Sequence, residues 1–385
     1  MIDAQTLAQM THWRHDIHRH PELAYEETRT ADIVANELRS LGMEVHTGLA
    51  KTGVVGVLTY GTGEGPMIGL RADMDALPIT ETTGLEYASE VSGQMHACGH
   101  DGHTTMLLGA ARFLAQNKSD DLNGQLIFIF QPAEENEGGA RTMIEEGLFD
   151  RFPVDMVFGL HNMPGVPVGT VMAQPGPVSA AFDTFSLTIQ GQGGHGAMPE
   201  NTRDPLPAAS ALVSALNSVV SRNIRPLDAA VISIGQLEGG QAYNVIPDQM
   251  TLKGSCRSLT ADSQKILKRR VYEICEGIGK AYAVDISCDY QECYPAVCNT
   301  DYETDLVCEA LSNDQDPFTV ITEFEPVMGS EDFSYFLNEK PGCYFIIGNG
   351  DQGGPLHSPT YQFNDELLSL GAMAWVRIVQ KILNS

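Results

Sequence analysis

The sequence predicts an α/β protein of two domains: a mixed, largely parallel sheet flanked by helices, and an inserted ferredoxin-like α+β domain. Three observations carry this reading. Continuous apolar runs such as Leu126–Phe130 have the character of strands buried on both faces of a largely parallel sheet. Each run ends at a polar cluster, where open α/β sheets place their ligands. Between residues 180 and 295 the pattern changes to the order β-α-β-β-α-β. A chain of 385 residues also exceeds what one hydrophobic core usually serves.

In chain order, the first forty residues read as helical, with Leu7, Ile17, Ile33, Val34 and Leu38 spaced among polar residues. Val54–Tyr60 and Met67–Leu70 read as strands, the second leading to Arg71, Asp73 and Asp75. A helix is expected to start after Gly102 and to run through Met106, Leu107, Ala110 and Leu114. Leu126–Phe130 leads into Gln131, Pro132, Ala133, Glu134 and Glu135, and Met156–Leu160 is followed at once by His161. Tyr344–Ile347 is a further strand, with glycine-rich turns before His357. In the insert, Phe185–Gln190, Ala230–Leu237, Met250–Cys256 and Val284–Tyr290 read as strands, and Pro205–Val220 and Ala261–Tyr282 as helices. The expected division is 1–179 with 296–385 as one discontinuous domain, and 180–295 as the insert.

Composition narrows the function. A formal net charge of -27 argues against nucleic acid and anionic membranes as partners, since both need counter-charge. No apolar segment approaches the length of a membrane span. The first residues, Met1 to Gln5, carry neither a basic nor an apolar region, so no signal peptide is expected. Eight cysteines without a C-x-x-C pair read as reduced thiols of a cytoplasmic protein. There is no G-x-S-x-G elbow, no Walker loop and no G-x-G-x-x-G after a strand.

The polar strand tips hold the chemistry. Cys98, His100, Glu135, His161 and His357 are residue types that bind zinc, manganese or cobalt, and five ligands suit two metal sites sharing a bridge. Singly, each has an ordinary alternative: a buried thiol, a solvated glutamate pair, a surface histidine. Cys98 gains meaning from His100 two residues on, and Glu134–Glu135 from their place directly after an apolar strand and a proline. One glutamate, Glu135, holds metal; the other, Glu134, stays free as general base to metal-bound water, whose pKa falls to about 7, and then as acid to the leaving amine. A thiol-based hydrolase using Cys98 with a nearby histidine is the alternative from another class. The histidines at 12, 15, 18 and 20 are assigned no chemistry.

Longer motifs make the chain resemble a known family. They are His18-Arg19-His20-Pro21-Glu22-Leu23, Arg71-Ala72-Asp73-Met74-Asp75-Ala76-Leu77-Pro78 and His96-Ala97-Cys98-Gly99-His100-Asp101-Gly102-His103. Further along come Phe130-Gln131-Pro132-Ala133-Glu134-Glu135, Gly193-Gly194-His195-Gly196-Ala197-Met198-Pro199, Asn244-Val245-Ile246-Pro247-Asp248 and His357-Ser358-Pro359. Over nearly its whole length the chain resembles the aminoacylase and zinc-carboxypeptidase amidohydrolases. Within them it is similar to the branch of hippurate hydrolases, auxin-conjugate hydrolases and N-acetyl-diaminopimelate deacetylases. The resemblance implies two divalent ions per subunit (Zn, Mn, Co or Ni), with Glu134 as acid/base. It implies that the insert is a lid that also dimerises, with His195 reaching across the dimer to the scissile carbonyl. Asn244 and Arg257 match lid positions that hold the substrate carboxylate, a task suited to arginine's fork. Asp73, standing where the wider family has a ligand histidine, is expected with Asp75 and Asp101 to orient ligands from behind. Gly196 stands where relatives often carry Ala. The expected substrate is an N-acyl-L-amino acid; a dipeptidase or carboxypeptidase of the same two-metal type is the nearest alternative.

Overall fold

The apolar runs form the centre of an eight-stranded mixed sheet, in the order Glu44–Leu49, Gly53–Tyr60, Gly124–Gln131, Met67–Asp73, Met156–Pro164, Gly342–Gly350, Thr170–Met172 and Thr319–Ile321. The four strands from Gly124–Gln131 to Gly342–Gly350 run parallel, and antiparallel pairings lie on either side of them. This parallel centre is almost wholly buried, which is why its sequence is continuously apolar and does not alternate. Leu70, Phe128, Phe130, Phe158 and Phe345 share one core with Met106 and Leu107 of helix His100–Gln116 and Trp375 of helix Glu366–Leu383.

This computed structural model describes residues 2–119, 122–135, 137–312 and 317–384. The chain folds as two units: Met1–Gly176 with Cys298–Glu325 and Asp332–Ser385, and Pro177–Val297 with Pro326–Glu331. The second unit is slightly wider at both ends than the insert expected at 180–295, and it gains the short return segment 326–331.

In the second unit the sheet order is Ala230–Gly239, Gln249–Ser258, Ala181–Gln190, Asp285–Tyr294, antiparallel throughout. Helices Pro205–Asn223 and Ala261–Tyr282 complete the β-α-β-β-α-β order, and the strands lie 2-3-1-4, the ferredoxin-like arrangement. Ala181–Gln190 alternates buried and half-buried residues, as a strand with one covered face must. Leu187, Leu252, Leu212, Leu216, Leu267 and Val271 join the sheet to its helices. A short arm pairs Gly194–His195 with Val245–Ile246. No helix among the described residues is long and apolar enough to cross a membrane.

Candidate metal centre

The first unit's site is built at the carboxyl ends of the parallel strands. Strand Met67–Asp73 delivers Asp73 and then Asp75. The next helix begins at His100, earlier than expected, because Gly99 turns the chain with φ 93°. A Cβ on Gly99 would stand 2.3 Å from Asn162 Nδ2 and 2.5 Å from the Tyr361 hydroxyl, so only glycine fits there. Cys98 is thus the last residue before the turn and His100 the first of the helix. His161 lies inside strand Met156–Pro164, which continues past the expected end at Leu160.

Two site segments carry left-handed backbone at non-glycine residues, a conformation that costs about 1–3 kcal/mol and gathers at functional sites. Ala133 (φ 56°) precedes Glu134 and Glu135. Its N–H donates to Glu27 Oε1 at 2.9 Å, and its carbonyl accepts from Gly139 N–H at 2.9 Å. His357 (φ 60°) is tied by its N–H to the Ala97 carbonyl at 2.8 Å.

The side chains converge in three overlapping sets: Cys98 with His100 and His161, Cys98 with Glu135 and His357, and His100 with Glu134 and Glu135. Within each set the donor atoms lie within 4.8 Å of one another. Cys98 Sγ stands 3.3 Å from His161 Nε2, and His357 Nε2 stands 3.1 Å from Glu135 Oε1. The structure therefore gathers all five candidate ligands and Glu134 in one place. Cys98 belongs to two of the sets.

The ring tautomers fit a cation. His100 Nδ1 donates to the Asp75 carbonyl at 2.8 Å and lies 3.2 Å from Asp75 Oδ1, which turns the Nε2 lone pair inward. His161 Nδ1 donates to the Asn162 carbonyl at 2.6 Å, with the same result. His100 Nε2 is buried and has no hydrogen-bond partner among the described residues. A buried ring nitrogen left in this way costs about 1–3 kcal/mol unless a proton or a metal ion takes its lone pair and is balanced by the charges around it. A divalent ion does so, and sulfur, nitrogen and oxygen donors together suit zinc and its neighbours. The field agrees: burial works against charge on His100, yet Asp73 and Asp75 raise its pKa to about 10, so the place favours a cation. Burial, reinforced by His103, holds His161 neutral, with its pKa well below the ordinary value.

Behind the ligands, Asp75 Oδ2 accepts the Glu135 backbone N–H at 2.9 Å, so one carboxylate positions His100 and Glu135 together. Asp73 accepts from His103 Nδ1 at 2.7 Å and from Arg71 Nη1 at 2.8 Å. Its burial would raise its pKa, but His100, Arg71 and His103 hold it well below the carboxylate range. His103 Nε2 accepts the Asn162 N–H at 3.0 Å, so this histidine positions Asp73 and has no lone pair left for metal. Asp101 departs from expectation. One step further round the helix than His100, it takes His18 Nδ1 at 2.8 Å and Arg14 Nη1 at 3.3 Å, and no hydrogen bond from a ligand side chain among the described residues.

Several supporting residues go beyond those expected from the sequence. Glu27, whose burial pushes its carboxyl up to about 7, receives the Ala133 N–H and the Thr52 hydroxyl. Asp332 receives Arg71 Nη2 at 3.1 Å, Gln131 Nε2 at 2.8 Å and the Ala140 N–H at 2.9 Å, fixing both ends of the glutamate turn. His103 had a signal, three residues after His100 on the same helical side. Glu27 and Asp332 had none.

In the second unit, His195 is exposed on the short arm, and its Nδ1 accepts the Ala197 N–H at 3.1 Å. A neutral ring so held carries its proton on Nε2, as an outward donor. Asn244 is exposed and its carbonyl accepts the Gly196 N–H at 2.8 Å. Arg257 Nη1 donates to the Met328 carbonyl at 2.7 Å and Ser330 Oγ at 3.0 Å, and its guanidinium lies 4.5 Å over the Phe182 ring.

This fold and this cluster define a metal-dependent hydrolase of amide bonds. Residues 69–381 match the peptidase family M20/M25/M40, and the chain belongs to that family. It is 44% identical to the hippurate hydrolase of Campylobacter jejuni over 370 residues, covering 96% of this chain and 95% of that one. It is 38% identical to the N-acetyl-L-cysteine deacetylase of Bacillus subtilis, covering 97% and 88%. Among solved structures it is similar to the Bacillus subtilis YXEP protein, described as a dinuclear metal binding peptidase, with TM-score 0.86, 32% identity and 99% of each chain covered.

Proposed function

We propose that the protein hydrolyses the amide of N-acyl-L-amino acids, with Cys98, His100, Glu135, His161 and His357 holding two divalent ions. The observation that carries this reading is the meeting of one thiol, inward-facing imidazole lone pairs and a ligand carboxylate beside a further buried glutamate, Glu134. When bound, the ions supply a water of pKa about 7 and polarise the amide carbonyl.

Glu134 takes the proton of the attacking water and returns it to the departing nitrogen. His195, with its Nε2 proton turned outward, donates to the carbonyl oxygen as negative charge grows there. Asn244 and Arg257 hold the substrate carboxylate. The protein works as a homodimer paired through the lid, with His195 serving the partner's site. Its compartment is the cytoplasm, in keeping with eight cysteines that include no C-x-x-C pair. The names of the hippurate hydrolase and the N-acetyl-L-cysteine deacetylase support an acyl amino acid as substrate over a dipeptide.

The test is to strip the protein of metal, reload it with Zn, Mn, Co or Ni, and assay N-acetyl and N-benzoyl amino acids beside dipeptides. Faster turnover of the acyl amino acids is expected. Preference for dipeptides would favour a dipeptidase instead. Activity that survives chelation but not thiol alkylation would favour Cys98 as a nucleophile.

A further inference from the structure

We infer that Tyr243 sorts substrates by their acyl group, offering its ring to an aromatic acyl chain. The inference rests on the amidohydrolase reading and adds a specificity residue to it.

Tyr243 and Asn244 are the central residues of a turn closed by the Val245 N–H on the Ala242 carbonyl at 3.2 Å. The strand that follows pairs Val245 with His195 and Ile246 with Gly194. Gly196 N–H donates to the Asn244 carbonyl at 2.8 Å. A Cβ at Gly193 would stand 2.4 Å from the Ile246 carbonyl oxygen, and one at Gly196 2.9 Å from that of Asn244. The turn and the His195 segment are therefore joined backbone to backbone, closer than side chains there would allow. The turn that carries Tyr243 is thereby held at a fixed place against the backbone of the His195 segment.

Its ring has no packing role in the fold. Tyr243 is 104% exposed, and on the same arm Val245 is 54% and Met198 53% exposed. An aromatic side chain gains by burying roughly 150–250 Å², and here that gain is unrealised. On the reading proposed above the arm brings His195 to a substrate carbonyl, and the group that arrives next to it is then the substrate. In an N-acylglycine the one apolar part is the acyl chain on one side of that carbonyl; the other side carries the amide nitrogen and ends in a carboxylate. A phenol ring, an isopropyl group and a thioether exposed on the same arm as the carbonyl donor match the acyl side.

The experiment measures kcat/KM for N-benzoylglycine and N-acetylglycine with metal-loaded wild type, Tyr243→Ala and Tyr243→Phe, with oligomeric state followed by sedimentation. Tyr243→Ala is expected to lower the benzoyl-to-acetyl ratio about tenfold, the scale of one aromatic contact. Tyr243→Phe keeps the ring and is expected to keep the ratio. An equal fall on both substrates, an unchanged ratio, or loss of the dimer at constant ratio would overturn the inference while the wild-type activity still stands. Failure of the wild type on both substrates would instead overturn the amidohydrolase reading and this inference with it.

Discussion

Asp75 and His100 are joined twice: the His100 Nδ1–H donates to the Asp75 carbonyl at 2.8 Å and lies 3.2 Å from Asp75 Oδ1. The other carboxylate oxygen of Asp75 receives the Glu135 N–H, so two candidate ligands depend on this one residue. Asp75→Ala is expected to weaken metal affinity about 10–100-fold, the usual cost of losing such a partner. Competition with a chromophoric chelator reads this directly, and unchanged affinity would show that His100 and Glu135 hold their places without Asp75.

His195 offers a test of sharing between subunits. His195→Ala is expected to be slow and fully metallated, as is Glu134→Gln. Mixing the two under conditions that exchange subunits should restore activity, because one hybrid site then has both an intact Glu134 and an intact His195. No recovery despite demonstrated exchange would place His195 and Glu134 of one site in the same chain, or remove His195 from the reaction.

His18 supplies a pH-dependent stability term away from the ligands. Burial opposes its charge, but Asp101 outweighs burial and raises its pKa to about 9. A histidine raised above its ordinary value of about 6.5 contributes fully below that pH, and the contribution fades as pH climbs through 9. The shift corresponds to roughly 3 kcal/mol at most. The stability gap between wild type and His18→Gln should be widest near pH 6 and should close towards pH 9 in urea titrations. A gap independent of pH would mean that packing, and not charge, is what His18 supplies.

The site was legible in the sequence to the extent that it obeys the logic of the sheet. Asp73, Glu134 and Glu135 follow apolar runs whose strands the burial pattern makes obvious, and the expected strand and helix order of the insert matches the observed one. His161 follows such a run too, although the strand continues through it. His357 lies on a glycine-rich loop in left-handed backbone, where no periodicity points to a ligand. Asp101 is not behind the ligands, because neighbours in sequence diverge around a helix, which sends it to His18 and Arg14 while His100 faces the site. Glu27 and Asp332 are buried acceptors of backbone N–H groups, and a sequence gives no notice of which turn needs an acceptor.

The most direct test of the account is metal content and turnover of Glu134→Gln measured on the same sample. The account predicts two ions per chain, as in the wild type, and a rate lower by about 10²–10⁴, the range for loss of a general acid/base. A variant that turns over N-acyl amino acids at close to the wild-type rate, or that loses its ions along with its activity, would contradict it.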